Sequence, residues 1–206
     1  VGARYRTGNG GCWDDAVQHQ GKDLSYLNVY DADAAWRLVH SLGELPTAVV
    51  IKHANPCGAA VGADITEAYV RAHECDPISA FGGIVALNRV VPRSLAEALA
   101  PVFTEVMIAP GYEDDALELL TGKKNLRVLT APAPEVPPLD IRTISGGLLV
   151  QTADELTVDS TGWSIVTERQ PTDGFAVSVG GDIYPVRADE RRGLTITPHP
   201  TQVEVV

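Results

Sequence analysis

The segment IKHANPCGAAVG, residues 51 to 62, sets polar and charged side chains immediately after a short apolar run. Lys52 offers a cation for an oxyanion or carboxylate, and His53 a base that titrates near neutrality. Asn55 offers an amide that both donates and accepts, and Gly58 leaves room for backbone to approach a ligand. In open α/β sheets ligand sites are built just beyond strand ends, which suits these residues. A structural loop, shaped by Asn55 and Pro56 and with a merely hydrogen-bonded His53, fits the same residues equally well.

A second segment, HECDPISAFGGIVALN, brings Asp76, Ser79, Phe81 and the pair Gly82-Gly83 before another apolar run. Its glycines permit close backbone approach, and an exposed Phe81 could stack on a planar ring; a Phe81 folded into the core is the alternative. A third cluster gathers Arg4, Tyr5 and Arg6 with Lys22 in the stretch GKDLSYLN, where phosphate recognition competes with plain surface charge. His53 with Cys57 and His73 with Cys75 could in principle ligate a metal. A deaminase-type zinc site requires P-C-x-x-C, however, and Gly58, Ala59 and Ala60 follow Pro56-Cys57, so no metal is expected. No base is evident for Cys57 as a nucleophile.

The elements that must position these groups alternate. Asp31 is placed to cap a helix over DADAAWRLVH, and TAVVI, residues 47 to 51, reads as a buried strand ending on Lys52. Asp64 with Glu67, and Ser94 with Glu97, have capping-box spacing before AYVRAHE and ALA. GGIVAL, FTEVMIA and LRVLT read as strands around the helical pattern DDALELL. The result is an α/β layered sheet rather than a sandwich or a bundle. The proline-rich APAPEVPP, residues 131 to 138, is an extended connector, dividing a lobe at 1–130 from a smaller one at 131–206. In the latter, ISGGLLVQ, WSIVTER, FAVSV and GLTIT are short and β-leaning.

The chain has 206 residues, enough for a substantial core, and 27 acidic against 16 basic residues give a formal charge of -11. That charge repels a phosphate backbone, so nucleic acid is not an expected partner. Three cysteines cannot all pair within one chain and fit a reducing cytoplasm. No apolar run approaches the roughly 20 residues that span a bilayer, and no export signal is read at the start, so neither membrane insertion nor secretion is expected.

IKHANPCG together with HECDPISAFGGIVALN resembles the aminoimidazole carboxamide ribotide (AICAR) transformylase region of the bifunctional AICAR formyltransferase/IMP cyclohydrolase family. The resemblance runs from GKDLSYLNVYDADAAW through FTEVMIAPGYEDDALELLTGKKNLRVL to LDIRTISGGLLVQ, roughly residues 21 to 155. Ala3-Arg4-Tyr5 is similar to the start of the family's L-R-Y-G-E-N-P-H-Q, but Arg6-Thr7-Gly8-Asn9 stands in place of the rest of that motif. GGDIYPV is similar to S-D-A-F-F-P-F, and GLTITPHPTQ to G-V-T-A-V-V-H-P-G-G. The family's F-A-W, S-N-A-I and R-H-F-R-H segments have no counterpart, nor does its cyclohydrolase domain, so ring closure is not expected of this chain.

The resemblance implies a cytidine-deaminase-like first lobe with an abbreviated second, and transfer of a formyl group from formyl-tetrahydrofolate, as co-substrate, to the amine of AICAR. It assigns the proton shuttle to His53 and the charge on the formyl oxygen to Lys52. It places Arg4, Tyr5, Lys22, Asn28, Asn55, Gly58, Asp76 and Ser79 with the substrate, and Phe81, Gly82, Gly83, Tyr184 and Pro185 with the folate. It also implies a homodimer with sites near the subunit interface. Two rival readings keep the scaffold: a repurposed enzyme using the Lys52-His53 pair for another acyl transfer or cyclisation in specialised biosynthesis, and a non-catalytic binding protein.

Overall fold

The computed structural model describes residues 3–6, 11–135, 139–153, 176–179 and 182–185, the last two stretches by their backbone. The chain divides into two compact units, Val1–Pro134 and Glu135–Val206.

The first unit holds a six-stranded sheet. Its strands are β1 (Val17–Gln20), β2 (Thr47–Lys52), β3 (Asn55–Val61), β4 (Gly83–Leu87), β5 (Thr104–Ala109) and β6 (Arg127–Thr130). They lie in the order β1-β6-β5-β4-β2-β3. β4, β5 and β6 are parallel neighbours, whereas β1 on β6, β2 on β4 and β3 on β2 are antiparallel. The expected α/β class is observed, as a mixed sheet flanked by helices.

The helices are α1 (Tyr26–Ser41), α2 (Ile65–Cys75), α3 (Arg93–Leu99) and α4 (Asp114–Thr121). Alternate strand residues feed two separate apolar layers, as the period of two dictates. Ala48, Val50, Val85, Leu87, Met107 and Val128 join Ala68, Tyr69, Leu95, Leu99 and Leu120 of α2, α3 and α4 in one cluster. Val49, Ile51, Ile84, Val106 and Ile108 fall outside it and are equally buried, as are Ala32, Ala35, Trp36 and Val39 of α1. Trp36 anchors that second layer, its indole Nε1 donating to the Pro132 carbonyl at 2.8 Å.

Several local expectations change. The α1 cap is Ser25 rather than Asp31: Ser25 Oγ accepts from the Asn28 amide while Asn28 Oδ1 accepts from Ser25 N, so the helix starts a turn and a half earlier. Asp64 does cap α2, accepting from Glu67 N at 2.9 Å. Ser94 does not cap α3, because Pro92 occupies that position with no side-chain bond and Ser94 lies inside the helix. The greatest difference is β3, formed by residues that also read as a structural loop in sequence. Asn55–Val61 instead returns along β2 as an edge strand, where Pro56 is tolerated. β2 is therefore one strand in from the edge, and not at the sheet centre.

Gly58 makes that edge possible by letting α2 lie directly against it. A Cβ there would stand 1.9 Å from the Ala72 carbonyl oxygen and 2.8 Å from the Cys75 Cβ. The close approach Gly58 permits is to a helix of its own chain.

The second unit, described by itself, contains the hairpin β7 (Leu139–Ile144) with β8 (Gly147–Thr152) and the hairpin β9 (Ala176–Val179) with β10 (Asp182–Pro185). ISGGLLVQ is thus a turn plus a strand, and FAVSV contributes β9. WSIVTER and GLTIT lie outside the described residues.

Candidate active site

β2 and β3 are joined by the two-residue turn His53-Ala54, closed by the Lys52–Asn55 pair. Both turn residues have left-handed backbone, with φ of 57° at His53 and 58° at Ala54. This is the primed geometry that matches the twist of antiparallel strands, and it favours Asn and Gly, since each side chain held there costs about 1 kcal/mol or more. Two side chains hold the turn from either side. The His53 amide donates to Asp31 Oδ2 of α1 at 3.2 Å, and Asn55 Nδ2 donates to the His53 carbonyl at 2.8 Å. Both backbone polar groups of His53 are thereby engaged, leaving its exposed imidazole without a hydrogen bond among the described residues.

The turn forms one wall of a cavity of about 410 Å³ lined by Lys52, His53, Asn55, Pro56, Cys57, Asp76 and Ser79. Lys52 reaches across to the other wall, its Nζ donating to the Phe81 carbonyl at 3.0 Å. The segment after α2 folds on itself there. Asp76 accepts from the Ser79 hydroxyl at 2.5 Å and from the Ser79 amide at 2.9 Å. Those donors hold the Asp76 carboxyl below its usual range, so it faces the cavity as an anion at neutral pH. Burial, reinforced by the Asp76 charge and opposed by Lys52, pushes the Cys57 thiol up, which makes it a poor nucleophile near neutrality.

Of the residues singled out in the sequence, Lys52, His53, Asn55, Asp76 and Ser79 thus share one cavity. Phe81 adjoins it through its carbonyl; its ring is 62% exposed and packs beside Phe103 with centroids 5.1 Å apart. The exposed alternative, not the core one, describes Phe81. Gly82 takes a positive φ of 76° and its amide donates to the Phe103 carbonyl, while Gly83 opens β4. Asn28 is buried and hydrogen-bonded at both ends of its amide, capping α1 through Oδ1 and donating from Nδ2 to Glu105 at 3.0 Å. Arg4 pairs with Asp14, and Tyr5 and Lys22 are exposed; none of the three lines the cavity. Tyr184 and Pro185 lie on β10 of the second unit. Sequence reasoning gave Asp31 only a capping role, and Pro56 and Cys57 none in the cavity. Among the described residues no group of three or more His, Cys, Asp or Glu could hold a metal ion, and no helix is long and apolar enough to cross a membrane.

Comparison with known proteins assigns a family to this α/β sheet, whose second strand ends in a Lys-His turn over a polar cavity. The family described as AICARFT/IMPCHase bienzyme matches residues 2–177, and the chain belongs to that family. Among its relatives, the bifunctional purine biosynthesis protein PurH of Nostoc punctiforme is 48% identical over 162 residues, 78% of this chain and 32% of that protein. PurH of Dinoroseobacter shibae is 49% identical over 163 residues, and PurH of Listeria welshimeri 48% over 159, each across 77% of this chain and 31% of the relative. The chain therefore spans about a third of the length of these curated relatives. Among solved structures, RibD of Acinetobacter baumannii aligns at a TM-score of 0.35 and 16% identity, over 50% of this chain and 34% of that one, too distant to carry an argument.

Proposed function

We propose that this chain performs the formyl-transfer half of its family's chemistry, moving a formyl group from formyl-tetrahydrofolate to the amine of AICAR or a closely similar amino-carboxamide. The observation that carries the reading is that Lys52, a cation, and His53, an imidazole, line the same polar cavity. The acceptor amine is conjugated to a carboxamide and is a weak nucleophile, so its proton must leave as the carbon–nitrogen bond forms. His53 takes that proton and Lys52 stabilises the negative formyl oxygen of the tetrahedral intermediate. When the carbon–nitrogen bond to the folate breaks, the proton is returned to the departing folate nitrogen. Asn55, Asp76 and Ser79 position the acceptor, and the exposed Phe81 ring with the Gly82-Gly83 turn meets the folate. Arg4, Tyr5 and Lys22 as substrate contacts, and Tyr184 and Pro185 as folate contacts, complete this reading.

The same reading takes the sheet of residues 1–130 as a deaminase-like lobe, the remainder as a shortened second lobe, and a homodimer as the working form in the cytoplasm. The test is incubation of the 206-residue chain with AICAR and formyl-labelled formyl-tetrahydrofolate. Label is expected on the AICAR amine, with His53→Ala slowing transfer at least about 100-fold, in line with the loss of a general base. No transfer at high protein concentration, or an unchanged rate in His53→Ala, overturns the proposal.

A further inference from the structure

Asp31 lies on α1, within the helix rather than at its cap, and reaches the turn that carries His53. Its Oδ2 accepts from the His53 amide at 3.2 Å, while its Oδ1 is buried and has no partner among the described residues. A carboxylate oxygen left bare inside a protein is costly, and a helix interior gains nothing from Asp that Ala would not supply better. The contact that offsets this cost is to the one residue pair of the described chain, His53-Ala54, in which non-glycine side chains stand at positive φ. Such strain persists only where surrounding groups over-determine it. From the outer side Asn55 supplies one hold, on the His53 carbonyl; from α1 Asp31 supplies the other, on the amide.

We propose that Asp31 is a positioning residue: a carboxylate on α1 that clamps the His53 backbone in left-handed geometry and so aims the imidazole into the cavity beside Lys52. The inference rests on the proposed formyl transfer for the purpose of that aim, but the clamp itself is a property of the turn and is measurable without turnover. A clamp that works by accepting one hydrogen bond must survive replacement by the neutral amide, whose oxygen can still accept, and must fail with a side chain that has no acceptor.

The test compares Asp31→Asn and Asp31→Ala with the unaltered chain by amide hydrogen exchange, residue by residue, together with kcat and KM for formyl transfer. In Asp31→Ala, exchange of the His53 amide is expected to accelerate at least about tenfold while the Ala35 and Val39 amides of α1 keep their protection. Where transfer is measurable, kcat falls about tenfold or more with KM changed less than about threefold. Asp31→Asn is expected to restore most of the His53 protection and of kcat. Unchanged His53 exchange in Asp31→Ala, a loss of protection spread evenly along α1, or an Asp31→Asn protein as impaired as Asp31→Ala overturns the clamp. Absence of transfer in the unaltered chain would instead overturn the proposed function, and the exchange result would still decide the role of Asp31.

Discussion

The β7–β8 and β2–β3 hairpins each turn in two residues, and they do so by opposite means. Between β7 and β8 the turn Ser145-Gly146 puts glycine where φ is positive, 79°, and a Cβ added there would meet nothing within 4 Å. Between β2 and β3 the turn His53-Ala54 has positive φ at both positions and no glycine. The first puts glycine at its left-handed position; the second puts histidine and alanine at two such positions and is held by the Asp31 and Asn55 side chains. Their surroundings differ as sharply. β2 is buried almost to its end, whereas β7 and β8 are exposed along nearly their whole length. A turn that violates local preference, held by side-chain bonds and set on a buried strand, is where strain would serve the proposed formyl transfer.

Four substitutions or modifications sharpen that contrast. The largest effect belongs to Gly58→Ala, which drives a methyl group into the Ala72 carbonyl. Displacing α2 from the edge strand should cost at least about 3 kcal/mol in chemical denaturation. Gly146→Ala, with open space but an unfavourable φ, should cost about 1 kcal/mol by the same measurement. Ala54→Gly should act in the other direction. Relief of left-handed strain outweighs the extra freedom glycine gives the unfolded chain, for a gain of about 0.5 kcal/mol. Equal losses from Gly146→Ala and Ala54→Gly would erase the distinction between the two turns.

The smallest expected effect concerns Cys57, which lines the cavity beside the β2–β3 turn. Because burial and Asp76 raise its proton affinity, the folded protein keeps that proton to higher pH than the unfolded chain does. The contribution of Cys57 to stability is thus fully present below the ordinary thiol range and declines as pH rises through it. In a Cys12→Ser, Cys75→Ser background, alkylation of Cys57 at neutral pH should be slower than that of a free peptide thiol. Faster alkylation would mean that Lys52, not burial, governs the thiol.

The legible part of the fold was the part written in apolar runs. TAVVI, GGIVAL, FTEVMIA and LRVLT all became strands within a residue or two, because a buried strand needs such a run and little else. The edge strand β3 was hidden by its own composition, since Pro56 and Gly58 signal a loop in sequence. An edge position tolerates the first, and close packing of α2 demands the second. Asp31 was misread for a similar reason: an Asp before an apolar stripe looks like a cap, whereas Ser25 and Asn28 had already started the helix. Within the site, Lys52, His53 and Asn55 were visible as a cluster because one turn carries all three. That Asp76 and Ser79 face them across a single cavity is a fact of the α2 crossover and leaves no mark in local spacing.

The central claim is that the Lys52-His53 turn and the Asp76-Ser79 loop hold one amino-carboxamide ligand between them. Titration of the isotopically labelled chain with AICAR, followed by amide and side-chain NMR, tests it most directly. Shifts concentrated at Lys52, His53, Asn55, Asp76 and Ser79, and abolished together in His53→Ala or Lys52→Ala, are the predicted result. Saturable binding whose shifts fall elsewhere, or no binding at millimolar AICAR, would contradict it.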